Sequence, residues 1–108
     1  AREAGELMLA CRRRGLTVEY KANHSPVSDA DLAVDTLLRD RLRTARPDYG
    51  WLSEETADDL ARLEKRRLFV VDPIDGTRAF VKDQPWFACA IAVVEDGRVT
   101  HGVVHAPE

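Results

Sequence analysis

Residues 68–80, LFVVDPIDGTRAF, form an apolar run that ends in two aspartates three residues apart, followed by glycine and threonine. The β-branched and aromatic content of RLFVVD (residues 67–72) predicts a buried strand. Pro73 has no N–H to give a sheet ladder, so regular pairing should stop there. Asp72, the Ile74 carbonyl and Asp75 can then converge on one point, an all-oxygen donor set of the kind hard divalent cations such as Mg²⁺ prefer. Gly76 lets the backbone approach a ligand closely, and a helical turn begun near Thr77 would face N–H groups toward an anion. The Thr77 hydroxyl adds a group able to position water.

Asp-Gly after a strand is more often a turn than a metal site. The chain supplies its own control, because a second pair stands at Asp96-Gly97. That pair joins two strand-like runs in FACAIAVVEDGRVTHGVVHAP and reads as a two-residue hairpin. Asp75-Gly76 follows a proline-interrupted strand and precedes TRAFVKDQP, which has no matching alternation.

Outward from this stretch, Ala4, Leu7, Met8 and Cys11 follow the spacing of a helix with one buried face. Gly15 stops it after three arginines that suit the negative end of the dipole. LTVEYKANHSPV is a short strand or extended segment running into a loop, with Pro26 keeping Ser25 out of the helical region. A second helix begins at Ser28 as N-cap, with Asp29 and Asp31 in its first turn. Ala30, Val34, Leu37, Leu38 and Leu42 form its apolar stripe, and Pro47 closes it. YGWLSEE is a short strand ending in paired glutamates, and DDLARLEKRR a brief helix. Helix, helix, then mostly strands indicates an α+β fold rather than alternating βαβ units.

Composition sets the limits. At 108 residues, with 44% hydrophobic and 32% charged residues, the chain is one soluble domain at most. A net charge of -3 from 16 basic and 19 acidic residues, with no long block of either sign, argues against binding a nucleic-acid polymer in bulk. The longest apolar stretch is too short to span a bilayer. Cys11 and Cys89 lie far apart without CxxC spacing, so free thiols in a reducing cytoplasm are expected. Trp51 and Trp86 are expected to pack or to wall a pocket, and His24, His101 and His105 show no metal-ligand spacing. The chain opens on Ala1 inside a helical pattern and stops at GVVHAPE, so it is expected to be the N-terminal part of something longer.

Taken together, DPIDGT at residues 72–77, SEE at residues 53–55 and SPVSDAD at residues 25–31 resemble the lithium-sensitive, Mg²⁺-dependent inositol monophosphatase superfamily. The resemblance implies a layered sugar-phosphatase fold, with an N-terminal helix pair packed on a mainly antiparallel β-sheet. It implies a phosphoric monoester hydrolase that uses two or three Mg²⁺ ions, is inhibited by Li⁺ and works as a homodimer on a small phosphorylated metabolite. By the same resemblance Glu54 is a metal ligand serving more than one ion, Asp72 bridges two ions, the Ile74 carbonyl binds one and Asp75 the other. Gly76 and Thr77 hold phosphate through backbone N–H groups, with Glu54 and Asp75 also bordering the substrate, and Asp31 pairs with Thr77 to orient and deprotonate the attacking water. Lys21 lies near the mobile loop beside the metals. Such hydrolysis is mostly positioning and electrostatics, with no covalent enzyme intermediate required. The family's further metal-binding aspartate, in a Trp-Asp motif, has no counterpart in this chain, which implies weak or absent activity for the 108 residues alone.

Three subgroups compete for the substrate. The compact SPVSDAD with LSEE is most similar to the 3'(2'),5'-bisphosphate nucleotidases, which act on adenosine 3',5'-bisphosphate. DGTRAF, with Arg78 and Phe80, resembles the histidinol-phosphate phosphatases, while inositol-1-monophosphatases more often have a longer first loop. A non-catalytic family member or interaction module, with the acids used structurally, is the reading from a different class.

Overall fold

The computed structural model describes residues 1–23, 25–56 and 60–108. Helix α1 (Arg2–Arg14) is followed by a two-stranded antiparallel hairpin, β1 (Val18–Tyr20) and β2 (Pro26–Ser28), and by helix α2 (Asp29–Ala45). Strand β3 (Gly50–Ser53), a 3₁₀ turn (Ala61–Glu64), strand β4 (Arg67–Asp75), the short helix α3 (Thr77–Val81) and the hairpin β5 (Ala88–Glu95)–β6 (Arg98–His105) complete the chain. The four-stranded sheet runs β3-β4-β5-β6. Its first pairing is parallel and the other two antiparallel. The fold is α+β, a helix pair against a mainly antiparallel sheet, as expected.

The helices form because their stripes have somewhere to go. Ala4, Met8 and Cys11 from α1 meet Ala30, Val34 and Leu38 from α2, and both sets close on Phe69, Val71 and Cys89 of the sheet. Burial of a side chain such as Met8 contributes roughly 1.5–3 kcal/mol. Arg12 leaves the apolar face of α1 to lie over the rings of Phe80 and Phe87, 5.4 and 4.8 Å from their centroids. Those two rings meet edge to face at 4.9 Å. The turn that carries α3 is thereby pinned to α1.

Four local expectations need correcting. The segment after β1 is more than extended chain, because residues 26–28 return to pair with it, and Pro26 fits there since a two-stranded edge does not need its N–H. Within the described part of DDLARLEKRR only one 3₁₀ turn forms, and Asp58 and Asp59 lie outside the described residues. Pro73 interrupts pairing without ending the strand. Regular partners run to Asp72↔Ala90 and resume at Asp75↔Ala88, so one extra residue is accommodated in a bulge. Trp51 is buried against Phe69, but Trp86 is 77% exposed and packs no core.

The two Asp-Gly pairs separate as their flanks indicate. Asp96 and Gly97 both have positive φ (51° and 77°) in a two-residue hairpin. At the other pair only Gly76 does (86°), and it ends β4 and caps α3. A Cβ on Gly97 would meet nothing within 4 Å, whereas one on Gly76 would lie 2.5 Å from the Trp86 carbonyl oxygen. Gly97→Ala should therefore cost about 1 kcal/mol in urea denaturation, and Gly76→Ala at least about twice that. Equal losses would contradict the close approach at Gly76.

Candidate active site

Three chain segments build the site, and helix α2 joins them. Ser28 ends β2 and caps α2, with its Oγ accepting the Asp31 N–H at 3.3 Å. Asp31 answers from the third helical position: its Oδ2 accepts the Ser28 N–H at 2.8 Å and the Ser28 hydroxyl at 2.6 Å. The sequence accounts for Asp31 as a first-turn acid complementing the dipole, yet this carboxylate is fully buried. Its remaining oxygen, Oδ1, accepts the Thr77 hydroxyl at 2.7 Å, from the start of α3. Thr77 Oγ1 also lies 3.0 Å from the Ile74 carbonyl.

Glu54 reaches the site through strand register. β3 and β4 pair in parallel down to Ser53↔Val71, and the Glu54 N–H adds one more bond to the Val71 carbonyl at 3.2 Å. Glu54 thus leaves its strand beside Asp72, at the same end of the sheet. Glu54, Asp72, Ile74, Gly76 and Thr77 line one cleft of about 270 Å³ with Lys21 and the exposed Arg78. Asp31 stands beneath it, behind Thr77. Asp75 is exposed at the end of β4 and does not line this cleft.

The acids repel one another across the cleft. Burial, then the charges of Asp75, Glu54, Glu55 and Asp31, push the Asp72 carboxyl up from 3.8 to about 6. Burial also raises Glu55, offset in part by Lys21, whose Nζ sits 3.1 Å from its Oε1. Lys21, given no firm role by the sequence, therefore serves the second glutamate of the pair. Among the described residues the ion pairs leave Glu54, Asp72 and Asp75 without a basic partner. Also among them, no three acid, imidazole or thiol groups already form a metal cage. The all-oxygen donor set, and a half-buried carboxylate whose neighbours are mostly anionic, nevertheless fit a hard divalent cation. Cys11 and Cys89 are free and buried, and burial raises the Cys89 thiol. No helix among the described residues is long and apolar enough to cross a membrane.

Sequence reasoning missed Asp35. This buried carboxylate receives the hydroxyls of Ser53 and Thr56, beside the paired glutamates. The available signal was spacing, since Asp35 lies one helical turn after Asp31 and so shares its face.

The chain belongs to the inositol monophosphatase family, whose model matches residues 1–108. The 3'(2'),5'-bisphosphate nucleotidase CysQ of Escherichia coli (strain K12) is 39% identical over 110 residues, covering 99% of this chain and 45% of that protein. The histidinol-phosphatase of Mycobacterium tuberculosis is 41% identical over 92 residues, covering 85% of this chain and 35% of that protein. Among solved structures, the extragenic suppressor protein suhB of Bartonella henselae superposes with a TM-score of 0.91 at 32% identity, over 99% of this chain and 42% of that one. The chain spans less than half the length of the relatives it matches.

The electrostatics of Asp72 can be read in the metal-free state. Its folded value lies above its unfolded one, so the folded chain loses stability as pH rises from about 4 through 6, and the full penalty stands above that. After discount for its partial exposure the penalty is about 1 kcal/mol. In urea denaturation with EDTA, Asp72→Asn should be more stable than wild type by that amount at pH 7.5 and equal to it near pH 4. A variant less stable at pH 7.5 would contradict the reading.

Proposed function

We propose that this chain is the metal- and phosphate-binding part of a Mg²⁺-dependent phosphomonoesterase, and that its substrate is adenosine 3',5'-bisphosphate. The observation that supports this best is the hydrogen bond from Thr77, on the wall of a cleft lined by Glu54 and Asp72, to the buried Asp31 carboxylate. Glu54, Asp72, the Ile74 carbonyl and Asp75 would hold two or three Mg²⁺ ions, with Li⁺ competing for one of those places. Bound Mg²⁺ supplies positive charge to the phosphoryl oxygens and lowers the pKa of attacking water.

The residues of the chain do the remaining work. Because Thr77 donates its hydroxyl proton to Asp31, the lone pairs of its oxygen are free to receive a proton from water. A proton arriving there passes on along the same hydrogen bond to Asp31. Both Asp31 oxygens are already occupied by Ser28 and Thr77, so the carboxylate cannot swing away, and positioning costs little at the moment of reaction. The N–H groups of Gly76 and Thr77 would meet the phosphate, with Glu54 bordering it from within the cleft and Asp75 from the exposed end of β4. Gly76 cannot be widened without striking the Trp86 carbonyl.

The choice among phosphate esters follows the compact SPVSDAD stretch, residues 25–31, where β2 passes directly into α2, and the likeness to the nucleotidase over nearly the whole chain. Arg78, exposed on the cleft, would meet the second phosphate of that substrate. Histidinol phosphate is the second reading, favoured by DGTRAF and by the histidinol-phosphatase identity. A homodimer in a reducing cytoplasm completes the proposal, in keeping with the family and with two buried free thiols.

A protein containing this chain should be assayed with Mg²⁺ on adenosine 3',5'-bisphosphate, histidinol phosphate and inositol 1-phosphate. Adenosine bisphosphate should give the highest kcat/KM, and Asp31→Asn should lower kcat by roughly 10²–10⁴-fold. Preference for histidinol phosphate would move the assignment to the second reading. Inactivity of wild type on all three would sink the phosphatase.

A further inference from the structure

We propose that Asp35 is a positioning residue: from helix α2 it clamps the loop that bears Glu54, and so sets where the Glu54 carboxylate stands relative to Asp72. The inference rests on the reading of Glu54 as a metal ligand.

The geometry is a bracket around one residue. Asp35 Oδ1 accepts the Ser53 hydroxyl, and Ser53 Oγ in turn accepts the Glu55 N–H at 3.2 Å. Asp35 Oδ2 accepts the Thr56 hydroxyl, and Thr56 Oγ1 accepts the Trp51 indole N–H at 3.3 Å. Residues on both sides of Glu54 are thus tied to a single carboxylate. The Glu54 backbone is held to Val71 on β4, while its side chain stays exposed and carries no basic partner among the described residues. The backbone point from which the Glu54 carboxylate reaches out is therefore fixed from both sides.

The device is expensive for a strand end. Asp35 is 7% exposed, and no cation pairs with it among the described residues. Among the described residues its partners are two hydroxyls, an arrangement that stabilises a buried carboxylate little, and neutral groups could cap β3 as well. Placement explains the cost better. Asp31 and Asp35 face the same way on α2, one turn apart. Asp31 holds the turn after β4 through Thr77, and Asp35 holds the turn after β3 through Ser53 and Thr56. Since β3 and β4 are parallel neighbours, one helix ties the loop that bears Glu54 and the turn that ends the strand bearing Asp72.

The test measures Mg²⁺ dissociation constants by calorimetry at 25 °C, on protein containing this chain and shown by circular dichroism to be folded. Supporting partners of metal ligands typically matter by about 10–100-fold. Asp35→Asn and Thr56→Val should therefore weaken Mg²⁺ by about tenfold or more, while Thr56→Ser, which keeps the hydroxyl, should match wild type. Thr56→Val carries the test if Asp35→Asn does not fold. Wild-type affinity in the folded variants, with Mg²⁺ still bound by wild type, would overturn the role of Asp35 alone. Absence of Mg²⁺ binding by wild type would overturn both this inference and the reading beneath it.

Discussion

The Asp31 carboxylate is the constraint on which the rest of the site depends. It lies fully buried where three elements meet: the end of β2, the start of α2 and the start of α3. Three hydrogen bonds converge on it, two from Ser28 and one from Thr77. Losing either partner would leave a buried acceptor short, a penalty of about 1–3 kcal/mol or more for a charged group. The interactions that cap the helix and aim the Thr77 hydroxyl are therefore the same interactions. Fold and site cannot be altered separately at this point.

A second constraint is electrostatic. Parallel register brings Glu54 out beside Asp72, while a bulge at residues 73–74 carries β4 on to Asp75. Their charges, with burial, push Asp72 up to about 6. Among the described residues Lys21 pairs with Glu55. A divalent cation would resolve this repulsion, and the energy the fold gives up in assembling the acids is then recovered on binding. Stability of the metal-free chain and affinity for such a cation would then be opposed.

Much of this was legible in the residues because local chemistry decides it. The apolar stripes of both helices, the Ser28 cap and the Asp96-Gly97 hairpin are short-range signals that packing did not override. DPIDGT with SEE marked Glu54, Asp72, Ile74, Gly76 and Thr77, which do line one cleft. The long-range pairings were not legible. Nothing local says that β3 runs parallel to β4, that residues 26–28 return to β1, or that β4 resumes pairing after Pro73. By local chemistry alone Asp31 and Asp35 look like ordinary helix-surface acids until tertiary packing buries them, and only the family resemblance singled out Asp31. Trp86, conversely, has the composition of a core residue and no core to enter.

We propose that a divalent cation completes the cleft between Glu54 and Asp72, beside the Asp31–Thr77 pair. Anomalous diffraction from crystals of a protein containing this chain, soaked with Mn²⁺ in place of Mg²⁺, locates such an ion directly. An anomalous peak bonded to carboxylate oxygens of Glu54 and Asp72 is expected, and its loss in Asp72→Asn. Mn²⁺ bound only away from these two residues, at full occupancy, would contradict it.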